Sequence, residues 1–206
     1  MEPAASEKIA ADLSHAGYRG LFLAGDHSLA RSIWGDGGNR DALMELARSE
    51  RYSDLERVLA AEVLFANDVQ FPPCGWEDLL GSVYARALAI TGTGDRPIVL
   101  TGNEWGFLYH GRGDGVLGTH LLAAGDAAVR HLLPLLDDPA SIFYEGSQEA
   151  MMGGSLRYRV EDAAAYFIGK LKGVAMPFHE AIEQRDEEIA QLPTAVAGWG
   201  HDTKVR

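Results

Sequence analysis

With 206 residues, of which 47 % are hydrophobic, the chain can form one large domain or two small ones and bury a real core, so disorder is not its default state. Lys and Arg number 18 against 30 Asp and Glu, a formal charge of -12. That surplus argues against nucleic acid, which proteins hold by neutralising phosphates with cations, and it favours solubility and basic partners. Cys74 is the only cysteine, which excludes an intramolecular disulfide and any thiol-held zinc or iron–sulfur cluster.

The N-terminal stretch MEPAASEKIAADL lacks a basic segment followed by an apolar run and a small-residue cleavage site. No apolar run approaches the roughly 18 residues of a spanning helix, so a cytoplasmic protein with no membrane partner is expected. Ser6 to Tyr18 reads as a first helix with Ile9, Leu13 and Ala16 on one face, and Gly17 as its stop. A glycine-rich stretch follows, with room for a short helix from Leu29 to Trp34. Asn39 predicts a cap for a helix from Arg40 to Ser49. Ser53 and Glu56 form a capping-box pattern before a helix whose faces carry Leu55, Val58, Leu59, Glu62, Val63 and Phe65.

Pro72 and Pro73 break the chain, and Trp76 to Ile90 predicts a long helix closed by Gly92 and Gly94. The stretch around 97–110 holds two short apolar runs, Pro97-Ile-Val-Leu-Thr and Gly106-Phe-Leu-Tyr-His, readable as a short β element or as apolar loop. Val116 to Ala123 and Ala127 to Leu136 are predicted helices around a Gly125-Asp126 turn, and a short segment runs from Gln148 to Met152. Glu161 to Lys172 and Phe178 to Leu192 follow as helices. The chain therefore reads as a single all-α domain over 1–206, an irregular stack of helical hairpins with a loosely ordered tail over 193–206.

Leu117-Gly-Thr-His-Leu-Leu-Ala-Ala-Gly-Asp-Ala-Ala-Val-Arg-His-Leu-Leu-Pro-Leu-Leu-Asp-Asp resembles one HEAT-like repeat, with its Gly-Asp turn and acidic ending. Tyr144-Glu-Gly-Ser-Gln-Glu-Ala-Met-Met-Gly-Gly, followed by Tyr158-Arg-Val-Glu-Asp-Ala-Ala-Ala-Tyr, resembles a block of HEAT-like immunity proteins of bacterial polymorphic toxin and type VI secretion effector systems. The resemblance spans Leu117 to Leu171. It implies a stoichiometric inhibitor whose partner is a cognate protein toxin with a basic active-site groove, a nuclease best of all, because a strongly acidic surface imitates a phosphate backbone. A general protein-interaction scaffold and an enzyme of unrecognised class stand as alternatives.

No catalytic pattern assembles. Gly113, Gly115 and Gly118 fit G-x-G-x-x-G, and Asp137 or Asp138 lies at the distance of a ribose-binding acid, but the stretch before those acids is helical where a second strand is required. Arg112-Gly-Asp114 is a chance adhesion tripeptide. His110, His120 and His131 are spaced about ten apart on different elements and make no metal-ligand motif; His179-Glu180 lacks a second histidine four residues on. Cys74 sits between Pro73 and Gly75 without a nearby base, and neither G-x-S-x-G nor a phosphate loop occurs. Glu180, Glu183, Glu187 and Glu188 read as a solvated helix face. Glu145 and Glu149 face a partner or fix a bend through Arg157 and Arg159. The chain is read as a non-enzyme with no cofactor and no metal. Its partner-facing residues are expected to be Trp105, Tyr109, Asp114, Tyr144 and Glu145, aromatic and acidic residues of loops at helix ends, with packing beneath those loops the other role open to Trp105 and Tyr144.

Overall fold

The computed structural model describes residues 5–22, 26–93, 100, 102, 106–108, 113–144, 156–176 and 181–197. Its helices are α1 (Ala5–Phe22), α2 (Ser28–Trp34), α3 (Arg40–Arg48), α4 (Asp54–Asn67), α5 (Glu77–Ala89), α6 (Val116–Leu122), α7 (Val129–Leu132), α8 (Val160–Lys172) and α9 (Ile182–Ala197). The expected all-α class is what the structure shows. Among the described residues, the only sheet is an antiparallel pair of two-residue strands, β1 (Gly92–Thr93) and β2 (Ser141–Ile142). The β element expected near 97–110 lies mostly outside the described residues, and the pairing seen here sits to either side of it. No helix among them is long and apolar enough to cross a membrane.

Helices α1 to α4 pack on one another, α3 most extensively on α4. Helix α5 then bridges to the second half, touching α4 on one side and α6, α7 and α8 on the other. A single apolar core runs through both halves, from Leu13, Leu43 and Leu59 by way of Leu80, Tyr84 and Leu88 to Leu121, Leu132 and Phe167. Close approach is obtained with glycine. A Cβ on Gly81 of α5 would stand 2.7 Å from the Ala128 Cα, and one on Gly118 of α6 would stand 2.6 Å from the Phe167 ring. These are the small residues that a stack of helices needs.

The capping box of α4 forms as its sequence predicts: Ser53 Oγ accepts from the Glu56 N–H, and the Glu56 carboxylate accepts from the Ser53 N–H at 2.8 Å. Asn39 occupies the N-cap of α3, but its side-chain amide donates to the Ile33 carbonyl at 2.8 Å instead of accepting from the helix. Gly17, read as the stop of the first helix, is a break inside α1. It takes φ 61 and ψ 177, and helical geometry then resumes through Phe22. The predicted helix from Ala127 to Leu136 is divided into a 3-10 turn (Gly125–Ala128), α7 and a second 3-10 turn (Leu133–Asp137). Pro134 lacks the N–H that a continuing α-helix would use and stands at the start of that second turn. The loose tail expected from 193 is instead helical to Ala197, running through Pro193, with Ile189 and Leu192 buried. The Gln148 to Met152 segment lies outside the described residues.

Candidate functional site

A helix with Val58, Leu59, Val63 and Leu64 fully buried leaves little room for charge, yet Glu62 of α4 is buried among them, with only 3 % of its side chain exposed. Placing an ionised carboxylate there costs several kcal/mol unless partners compensate. Two do. Tyr84 of α5 donates its hydroxyl to Glu62 Oε1, and His120 of α6 places Nδ1 2.7 Å from the same oxygen. Three elements far apart in the chain thus converge on one atom.

The imidazole is held on more than one side. Its ring stacks on Phe65, one helical turn from Glu62, with centroids 3.9 Å apart and planes 2° from parallel. The Tyr84 ring meets it edge-on at 6.1 Å. The carboxylate field reaches further: burial first, and then the Glu62 charge, push the Tyr84 hydroxyl far above its ordinary range, and the same two causes in the same order raise Tyr18. Tyr84 therefore stays protonated, a donor only. These groups border an open pocket of about 190 Å³ between α1, α4 and α6, whose walls include Tyr18, Phe22, Phe65 and Val116.

A larger groove of about 490 Å³ runs between α1 and α2 over Ile9, Ala16, Leu29 and Ile33, with Lys8 and Asp12 on its border. It carries both signs of charge and no buried polar cluster comparable to that around Glu62.

Of the five residues expected to face a partner, Trp105, Tyr109 and Glu145 lie outside the described residues. Asp114 is committed internally: Lys170 Nζ reaches both its oxygens, at 2.7 and 2.8 Å, and the Tyr166 hydroxyl donates to it at 2.7 Å. The Asp114 hydrogen bond holds Lys170 above its ordinary range. Tyr144 is 4 % exposed and donates its hydroxyl to the Leu108 carbonyl, which is the packing role that was open to it. The structure joins Asp114 to α8 and Tyr144 to the core and does not bring the two into one patch.

The histidines do not converge. His110 and His179 lie outside the described residues, His120 belongs to Glu62, and His131 Nε2 stands 2.7 Å from Asp78 Oδ1. Arg130 shares that carboxylate, and the guanidinium first, then the imidazole, hold Asp78 below the ordinary carboxylate range. Among the described residues no group of His, Cys, Asp and Glu is arranged to hold a metal ion. Within the G-x-G-x-x-G stretch, Gly115 is the N-cap of α6 with φ 74 and Gly118 makes room for Phe167, so both serve the packing of α6. Glu183 and Glu187 are exposed on α9, as a solvated face requires.

Sequence reasoning placed Glu62 on α4 and passed over its chemistry. The available signal was one acid inside the run Val58-Leu-Ala-Ala-Glu-Val-Leu, at helical spacing from Val58 and Phe65. In comparisons with known proteins the chain matches no family, no curated sequence and no solved structure.

Proposed function

We propose that the chain acts in the cytoplasm as a stoichiometric inhibitor, covering the basic active-site groove of a cognate protein toxin, with a nuclease groove the best fit. The observation that carries this reading is how the charge is distributed. Among the described residues most cations are engaged within the molecule, Lys8, Arg31, Arg48 and Arg157 being exposed and outside any ion pair there: Arg40 pairs with Asp68, Arg51 with Glu45, Arg86 with Asp54, Lys170 with Asp114, and Lys172 with Asp126. Arg159 alone gathers Glu161, Asp162 and Asp186. The surplus of acid is left facing water. Glu7, Asp12, Asp36, Asp41, Glu183 and Glu187 are exposed and have no ion-pair partner among the described residues.

Free carboxylates on a rigid helical frame attract a basic partner over a Debye length and speed encounter. Dissociation is governed by whatever is desolvated at the centre of the contact. The resemblance of Leu117 to Leu171 to HEAT-like immunity proteins supports the same reading, and binding of this kind requires no turnover.

Co-expression with the toxin encoded beside it is the direct test. Rescue of growth, a one-to-one complex on size exclusion, and an association rate that falls steeply with salt while the dissociation rate changes little are the expected results. Rescue with no isolable complex would replace inhibition with an enzyme that repairs or modifies the damage. Equal affinity for many unrelated proteins would replace it with a scaffold.

A further inference from the structure

The Glu62 pocket is not needed to explain an acidic surface, and its composition is specific. Both hydrogen bonds to Glu62 end on Oε1; among the described residues none reaches Oε2. Glu62 is nearly all buried and borders the cavity, and its second oxygen is not one of the buried polar atoms left without a partner, so it is reached from the pocket. Among the described residues neither Lys nor Arg lines the pocket. With His120 and His27 in their neutral forms, Nδ1–H of His120 donates to Oε1 and no cation among the described pocket residues offsets the carboxylate. Phe22, Phe65 and Tyr18 stand around it, and their ring faces are negative by quadrupole.

We infer that the pocket between α1, α4 and α6 is a binding site for an organic cation, an ammonium or guanidinium group on a short alkyl stem, with Glu62 as its counter-charge and the aromatic side chains as its walls. The size agrees: a dry cavity of about 150 Å³ holds one benzene molecule, so about 190 Å³ holds a butyl-sized stem and its head group. The chemistry agrees as well, since a cation gains from both the carboxylate and the π faces, whereas a neutral group of the same shape gains only burial. An anion is refused by the same field. Val116 and His27 are exposed and border the same pocket, so a ligand enters without opening the core.

The inference is independent of toxin binding and is tested without it. The full chain is titrated at about pH 8, above the ordinary imidazole range, with n-butylammonium, methylguanidinium and 1-butanol, followed by calorimetry and by NMR of the histidine and tyrosine ring protons. Saturable binding of both cations, with shifts at His120 and Tyr18 and with 1-butanol weaker by about tenfold or more, is expected. Glu62→Gln, which keeps an oxygen for Tyr84, should abolish the preference for cation over alcohol. Val116→Lys, a change at an exposed position, should weaken n-butylammonium by placing a tethered ammonium at the mouth, and it serves if the first variant does not fold. A capped glycyl-lysyl-glycine amide separates the two sources of such a group. Binding equal to n-butylammonium assigns the site to a side chain presented by a protein, and exclusion of the peptide assigns it to a free amine. Equal affinity of wild type for 1-butanol and n-butylammonium overturns the inference, as does a Glu62→Gln protein that still prefers the cation.

Discussion

Tyr84 and His120 share one carboxylate oxygen but are not equivalent supports. The tyrosine is buried and pushed far from its ordinary titration range, so its hydroxyl is a permanent donor, while the imidazole lies partly open at the pocket. Tyr84→Phe keeps the ring and removes the donor. It is expected to cost about 1.5–3 kcal/mol, the range for a hydrogen bond to a charged group, read as a lower urea midpoint at unchanged slope. An unaltered midpoint would mean that water replaces the hydroxyl without loss. Gly81 tests packing alone, since the backbone of Ala128, which a side chain there would meet, cannot swing aside as a flexible side chain can. Gly81→Ala should destabilise by about 1–3 kcal/mol through overpacking, by the same measurement. At this scale the sequence is only partly readable. One acid in an apolar run marks Glu62 as unusual, but nothing local announces that residues 84 and 120 will meet it.

Among the elements, α4 has the most legible start and a pH dependence that follows from it. Burial works to raise the Glu56 carboxyl, but hydrogen bonds from the Ser53 hydroxyl, the Ser53 N–H and the Ser14 hydroxyl outweigh it and leave Glu56 below its ordinary range. A carboxyl depressed in the folded state contributes stability that is complete above its unfolded value and is lost as pH falls through the folded one. Glu56→Gln should therefore lower Tm near neutrality, and the difference from wild type should close as pH falls below the ordinary carboxylate range and through the depressed folded value. A gap that stays constant across that range would place the effect in packing. Helix α8 begins differently, on a cluster around Asp162, while Glu145 and Glu149, expected to fix the bend through Arg157 and Arg159, lie outside the described residues. Asp162 holds the Arg159 N–H at 2.8 Å, its guanidinium at 3.1 Å, and Arg185 of α9 at 3.4 Å, all close to the core. Arg185 also donates to the Leu156 carbonyl and lies 5.1 Å over the Tyr158 ring. Asp162→Ala leaves Arg159 with Glu161 and Asp186 but strands the buried Arg185 guanidinium, and it is expected to cost about 3–5 kcal/mol, loosening α9 first, which hydrogen exchange would detect. The α9 arginine was unremarked in the sequence because its partner lies more than twenty residues away, beyond any helical periodicity.

For the molecule as a whole, helix content was readable because the 3.6-residue pattern records which side chains meet the core, and burial is what the fold optimises. The pocket was not, because it depends on where separate helices come to rest. The paired cations and unpaired carboxylates have a consequence that needs no partner. Like charges repel across the surface, and salt shortens their range to about 10 Å at 0.1 M and about 3 Å at 1 M. Raising sodium chloride from low to moderate concentration should increase Tm, and a decrease would show that the intramolecular ion pairs matter more than the repulsion. A chelator should leave Tm unchanged, given that no metal-holding cluster exists among the described residues; a fall of several degrees would contradict that.

Tyr18 and Phe22, the two pocket walls that α1 provides, both follow Gly17 in the chain. At φ 61 and ψ 177 that residue occupies backbone space in which other side chains are strained by about 1–3 kcal/mol, and nothing lies within 4 Å of where its Cβ would be. The strain of any replacement would thus come from torsion and not from collision. The direction of the last turn of α1 is set by the torsions of one residue, and Tyr18 and Phe22 both lie beyond it. A lineage in which Gly17 is replaced would change the aperture of the pocket while every residue lining it stayed the same.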